Sequence, residues 1–82
     1  MTLPRRKFQP RDLGLTGRQI DVLALVMQGK SNKAIGRTLK LTEPTVRDHV
    51  TAVLEALKVT NRTGAIIAAI ELGWDLRPTA RS

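Results

Sequence analysis

The sequence contains no cysteine and a single histidine, His49. The first absence excludes a disulfide scaffold and a thiolate metal site. Together the two exclude a nitrogen/sulfur metal cage, which needs several such ligands. Long hydrophobic runs are also missing. The run over residues 65–70, as long as any in the chain, is far short of the roughly 20 apolar residues that a membrane span needs. The basic N-terminus has no apolar stretch behind it and does not read as a secretory signal. No strand alternation, internal repeat or low-complexity tract competes with a helical reading. The parts of an enzyme are lacking too: no Gly-rich phosphate loop, no Ser/His/Asp or Cys/His set, and no paired carboxylates in a plausible cleft. The expectation is a cytoplasmic, non-enzymatic chain with no metal, no cofactor, no small-molecule ligand and no membrane partner.

What is present is one domain's worth of chain. At 82 residues and 41% hydrophobic content, a single core is possible and two are not. The formal net charge is +7, and the isoelectric point of about 11.2 is the electrostatic footprint of a nucleic-acid binder. The distribution tempers that inference. Arg5, Arg6, Lys7 and Arg11 stand against Asp12 in residues 1–14. About half of the excess positive charge therefore lies in the terminal segments. Residues 1–14, with two prolines and three adjacent cations, read as a linker or basic arm. Residues 15–74 read as the folded domain and 75–82 as a C-terminal tail.

Four helices are predicted. Thr16 with Gln19 has capping-box spacing, and Leu15 with Ile20 forms a hydrophobic staple. Ile20, Val22, Leu23, Val26 and Met27 continue this first helix, and Gly29 stops it. The second helix takes Ser31 or Asn32 as its cap and buries Ala34, Ile35 and Leu39, leaving Lys33, Arg37 and Lys40 on the other side. Gly36 within it costs about 1 kcal/mol relative to alanine, and a close helix–helix approach would explain it. The third helix, over residues 43–57, has Thr42 as N-cap and Pro44 in its first turn. Val46, Val50, Val53, Leu54 and Leu57 make its apolar face; Arg47, Asp48, Thr51 and Glu55 lie opposite. The fourth runs from near Asn61 to Leu72 with Gly73 as its stop, and is apolar nearly all round. In so small a domain such a helix calls for a second buried surface, most simply a partner subunit. Trp74 is expected to pack over it.

Helices two and three are joined only by Lys40, Leu41 and Thr42, which predicts a helix-turn-helix whose second helix enters a DNA major groove. On that reading Arg47 can donate a bidentate pair to guanine, Asp48 can accept from cytosine, and Thr51 can bond a base or touch a thymine methyl. Asn32, Lys33, Thr42 and Thr45 lie at helix starts, where amides, hydroxyls and backbone N–H groups suit phosphates. The plain alternatives are a solvated charge for Arg47, phosphate repulsion for Asp48, and packing or a phosphate hydrogen bond for His49.

These residues also carry a resemblance. Leu15-Thr16-x-Arg18, Val22-Leu23, Gly29-x-Ser31-Asn32-Lys33-x-Ile35 and Leu39-x-Leu41-Thr42-x-x-Thr45-Val46-Arg47-x-His49-Val50 lead it. Leu57, Val59, Asn61-Arg62 and Ala65 complete the pattern. The chain resembles the LuxR-type (GerE-type) helix-turn-helix domain. The resemblance implies an all-α, four-helix domain that binds double-stranded DNA for bacterial transcription regulation. Arg47, Asp48 and Thr51 occupy its base-facing positions, and Asn32, Lys33, Thr42 and Thr45 its phosphate-facing ones. It also implies a homodimer on DNA through helix four, assigned here to Gly64, Ile67, Ala68 and Glu71, with RNA polymerase as a further partner. Gln19, Gly36, Pro44, Ala56 and Lys58 depart from the commonest pattern, Lys58 standing where the family usually has Gly. The loss of a polar contact between helices one and three is expected from Gln19 and Ala56. The opening Leu-Gly-Leu-Thr and the segment over residues 52–57 look most like response regulators of two-component systems. Two rival readings remain: a protein-interaction helical module and a sigma-factor-like promoter-binding segment.

Overall fold

The computed structural model describes residues 9–76. A 3-10 turn at Pro10–Leu13 precedes four α-helices: α1 Gly17–Met27, α2 Asn32–Leu39, α3 Glu43–Leu57 and α4 Arg62–Glu71. No strand occurs among the described residues.

Each helix starts where a short polar side chain satisfies an orphan backbone N–H. Thr16 Oγ1 accepts from the Gln19 N–H at 3.2 Å, while Gln19 Oε1 accepts from the Thr16 N–H at 3.0 Å. The capping box is therefore complete. Ser31, not Asn32, caps α2, accepting from the Ala34 N–H at 3.1 Å. Thr42 caps α3 and Asn61 caps α4, through the N–H groups of Thr45 and Gly64. At the far ends, Gly29 and Gly73 take positive φ after α1 and α4. The ends of α2 and α3 do the same with lysines, Lys40 at φ 61° and Lys58 at φ 57°.

The helix α1 is the centre of the molecule. Val22, Leu23, Ala24, Leu25 and Val26 are all buried, so it is covered around more of its circumference than a single stripe would require. One cluster gathers Leu15, Leu23, Val53, Ala65, Ala69 and Trp74 between α1, α3 and α4. A second gathers Val22, Leu25, Val26, Ile35, Val46 and Val50 between α1, α2 and α3. Leu54 packs against both, and Val22 and Leu23 are chain neighbours, so the two clusters form one continuous core. Trp74 is buried in the first of them, over α4 as expected.

Three residues flanking the 15–74 range are also buried or packed against the core. Pro10 is buried and Leu13 packs on the first cluster; so does Leu76. The physical reason is the same on both sides: an isolated apolar residue next to a core finds partners there although no periodicity announces it.

Candidate nucleic-acid interface

The turn between α2 and α3 is closed by backbone. The Leu41 N–H donates to the Gly36 carbonyl at 2.8 Å, and Lys40 supplies the left-handed residue between them. A Cβ placed on Gly36 would stand 2.6 Å from the Leu41 carbonyl oxygen. The close approach expected at Gly36 is therefore made by the turn's own backbone rather than by a packed helix.

The Thr42–Thr45 pair shapes the start of α3. Thr42 Oγ1 accepts the Thr45 N–H at 3.3 Å, and the two hydroxyl oxygens, 2.9 Å apart, share a hydrogen bond. Beyond this turn α3 divides cleanly. Val46, Val50 and Val53 are buried, while Arg47, Asp48 and Thr51 are exposed. Arg47 and Thr51, four residues apart, share one face of the helix. Lys33, Arg37 and Lys40 are exposed along α2 and its cap. The ion pair among the described residues joins Arg18 to Asp21 at 3.5 Å, so none of these cations, nor Arg47, is neutralised by a described carboxylate. His49 is half-buried on α3.

Asn32 is half-buried and already engaged: its Oδ1 accepts from Arg62 Nη1 at 2.6 Å. Arg62 Nη2 donates to the Lys30 carbonyl, also at 2.6 Å. Arg62 is not among the site residues that the sequence singles out. Its one signal was membership of the Asn61-Arg62 pair in the resemblance. The Gln19 side-chain oxygen is used in the α1 cap, and Ala56 packs against the first core cluster.

On α4, Ala65 and Ala69 face inward, while Ile67 and Ile70 are 50% and 61% exposed. Ile70 was not among the expected interface residues. Glu71 is exposed and Gly64 and Ala68 are half-buried. A Cβ on Gly64 would meet the Cβ of Val59 at 3.2 Å, so Gly64 already serves packing within the chain. Ala68 and Glu71 border an open, mostly apolar groove of about 410 Å³ with Leu13, Ala56, Leu57 and Leu72. Among the described residues no set of His, Asp and Glu is grouped to hold a metal ion. No described helix is long and apolar enough to cross a membrane.

Residues 13–69 match the family described as bacterial regulatory proteins, luxR family. The chain belongs to that family. It is the DNA-binding domain of a LuxR-family transcription regulator, an all-α helix-turn-helix, and not an enzyme. Among its relatives, the transcriptional regulatory protein DegU of Brevibacillus brevis is 42% identical over 60 residues, spanning 73% of this chain and 25% of DegU. The nitrate/nitrite response regulator protein NarL of Escherichia coli is 43% identical over 63 residues, 76% of this chain and 29% of NarL. This LuxR-type chain thus spans between a quarter and a third of those relatives. The spore germination protein GerE of Bacillus subtilis is 32% identical over 71 residues, 87% of this chain and 95% of GerE. A solved structure of transcription factor GerE superposes with a TM-score of 0.66 at 37% identity, covering 72% of this chain and 88% of that one.

Proposed function

We propose that this domain reads double-stranded DNA with α3 in the major groove and acts as a homodimer paired through α4. The observation that carries the reading is the division of α3. One face is locked into the core by Val46, Val50 and Val53. The other presents an exposed Arg47 without a described ionic partner beside Asp48 and Thr51. A helix held so firmly from behind can present base-reading groups in fixed register. Arg47, Asp48 and Thr51 take the base edges; Lys33, Thr42 and Thr45, with Asn32, take phosphates. Exposed Ile67 with Ile70 and Glu71, flanked by Ala68 and Gly64, forms the pairing face. Its two large exposed aliphatics are the surface a second copy would cover. In the longer proteins of which such domains form part, the chain would be the effector end of a two-component response regulator. It would act on DNA in the cytoplasm, with RNA polymerase as a further partner.

The test is a mobility-shift selection from a random duplex pool at two salt concentrations, repeated with Arg47→Ala. The expected outcome is an enriched pair of half-sites about one helical turn apart. Loss of Arg47 should cost about 1–3 kcal/mol and relax one base position. Retention without enrichment would contradict sequence reading, and no retention at low salt would favour the protein-interaction alternative. Uniform weakening over all sequences would make Arg47 a phosphate contact.

A further inference from the structure

We propose that Arg62, the first residue of α4, is a positioning residue for DNA binding: it holds the Asn32 carboxamide with its N–H₂ group turned outward, toward a phosphate. The inference rests on the reading of Asn32 as a phosphate contact.

An asparagine carboxamide can present either its oxygen or its nitrogen, and only the nitrogen is useful to a phosphate oxygen. A guanidinium has donors and no acceptors. With Arg62 Nη1 2.6 Å from Asn32, the atom facing Arg62 must be Oδ1, and Nδ2 is left on the other branch. The second bond, from Nη2 to the Lys30 carbonyl at 2.6 Å, keeps the guanidinium from following Asn32 if that side chain rotates. Two donors set in one rigid plane thus fix one residue's backbone and the amide orientation two residues on. Both acceptors are about thirty positions away in sequence. Arg62 is half-buried and has no described carboxylate partner. Beside the first turn of α2, where the helix dipole disfavours a cation, such an arginine needs a reason to be there. Holding a donor for an anion supplies it. It also ties the helix proposed to pair the protomers to the helix start proposed to grip the backbone.

The experiment measures binding of the chain to a fluorescent duplex of mixed sequence at several salt concentrations, for wild type, Asn32→Ala, Arg62→Met and the double variant. If Arg62 acts through Asn32, each single change weakens binding by about tenfold. The double variant is then no weaker than about twofold beyond either single one. The salt slope stays that of wild type with Arg62→Met, because no phosphate-neutralising cation is lost; a slope reduced by about 0.9 would make Arg62 a direct phosphate contact and overturn the proposal. Losses that multiply in the double variant would overturn it as well. Asn32→Ala binding like wild type would remove the Asn32 contact and the proposal together. Asn32→Ala weakening binding while Arg62→Met does not would remove the positioning role alone. A folding defect in Arg62→Met leaves Asn32→Asp as the decisive variant. A carboxylate keeps Arg62 engaged, so thermal stability should hold or rise, yet it has no N–H to offer and repels phosphate. Affinity should then fall further than with Asn32→Ala. Wild-type affinity in Asn32→Asp would sink the outward donor.

Discussion

At the scale of single residues, two lysines occupy backbone conformations usually left to glycine. A side chain in the left-handed region costs roughly 1 kcal/mol relative to glycine. Lys40 and Lys58 both adopt it, at the C-caps of α2 and α3. An ammonium near a helix C-terminus offsets part of that cost through the macrodipole. Replacing Lys58 with glycine is expected to stabilise the fold by about 0.5–1 kcal/mol, raising the thermal midpoint by several degrees. Lys58 is at the opposite end of α3 from the proposed reading residues, so affinity for DNA should stay unchanged. A lower midpoint would mean that the charge at the helix end outweighs the backbone strain. The glycine that the family usually has where Lys58 stands fits that conformation. Nothing local pointed to it at Lys40, because a lysine after an apolar stripe is ordinary in the interior of a helix as well as at its end. The same limit hid Arg62. Its partners Asn32 and Lys30 are too remote in sequence for any spacing rule to reach.

At the scale of elements, the starts of α1 and α3 were legible as capping residues followed by apolar periodicity, the choice at α2 narrowed to Ser31 or Asn32, and α4 was placed only as beginning near Asn61. Capping chemistry is local: a hydroxyl or amide meets an N–H two or three residues on. The 3-10 turn at Pro10–Leu13 was not legible, since four residues carry no period. In α4 the difficulty is different. With Ala65, Ile66, Ile67, Ala68, Ala69 and Ile70 in succession, no polar face marks the outside, and pattern alone cannot rank the isoleucines. The packing does: Ile66 turns toward the second cluster, whereas Ile67 and Ile70 remain exposed. Ile67→Asp should therefore change monomer stability by no more than about 0.5 kcal/mol, as at an ordinary surface site. The same change should abolish cooperative occupancy of a two-half-site duplex, read by titration against one-site and two-site probes. Unchanged cooperativity would move the dimer face off α4.

For the whole molecule, the question is whether the two side-chain clusters melt together. They share α1 and Leu54, and Leu23 is fully buried. Leu23→Ala should cost about 2–5 kcal/mol, a large share of the roughly 4–12 kcal/mol available to a domain of this length. Helical content followed by circular dichroism should then fall in one transition at a lower midpoint. Two separated transitions would mean that the half around Ile35 and Val46 stands independently of the half around Trp74.

The sequence by itself determined the helical class, four helices with the right order, the tight α2–α3 connection, and the side of α3 that carries Arg47 and Thr51. Those properties follow from periodicity and capping, which act over three or four residues and are written in the order of the chain. Only the tertiary structure decided how far α1 is buried, that Leu13 and Leu76 join the core, that Ile70 is exposed beside Ile67, and that Arg62 grips Asn32. Each depends on which surfaces meet between segments remote in the chain. Such contacts arise from the shape of the assembled core, and no local spacing encodes them.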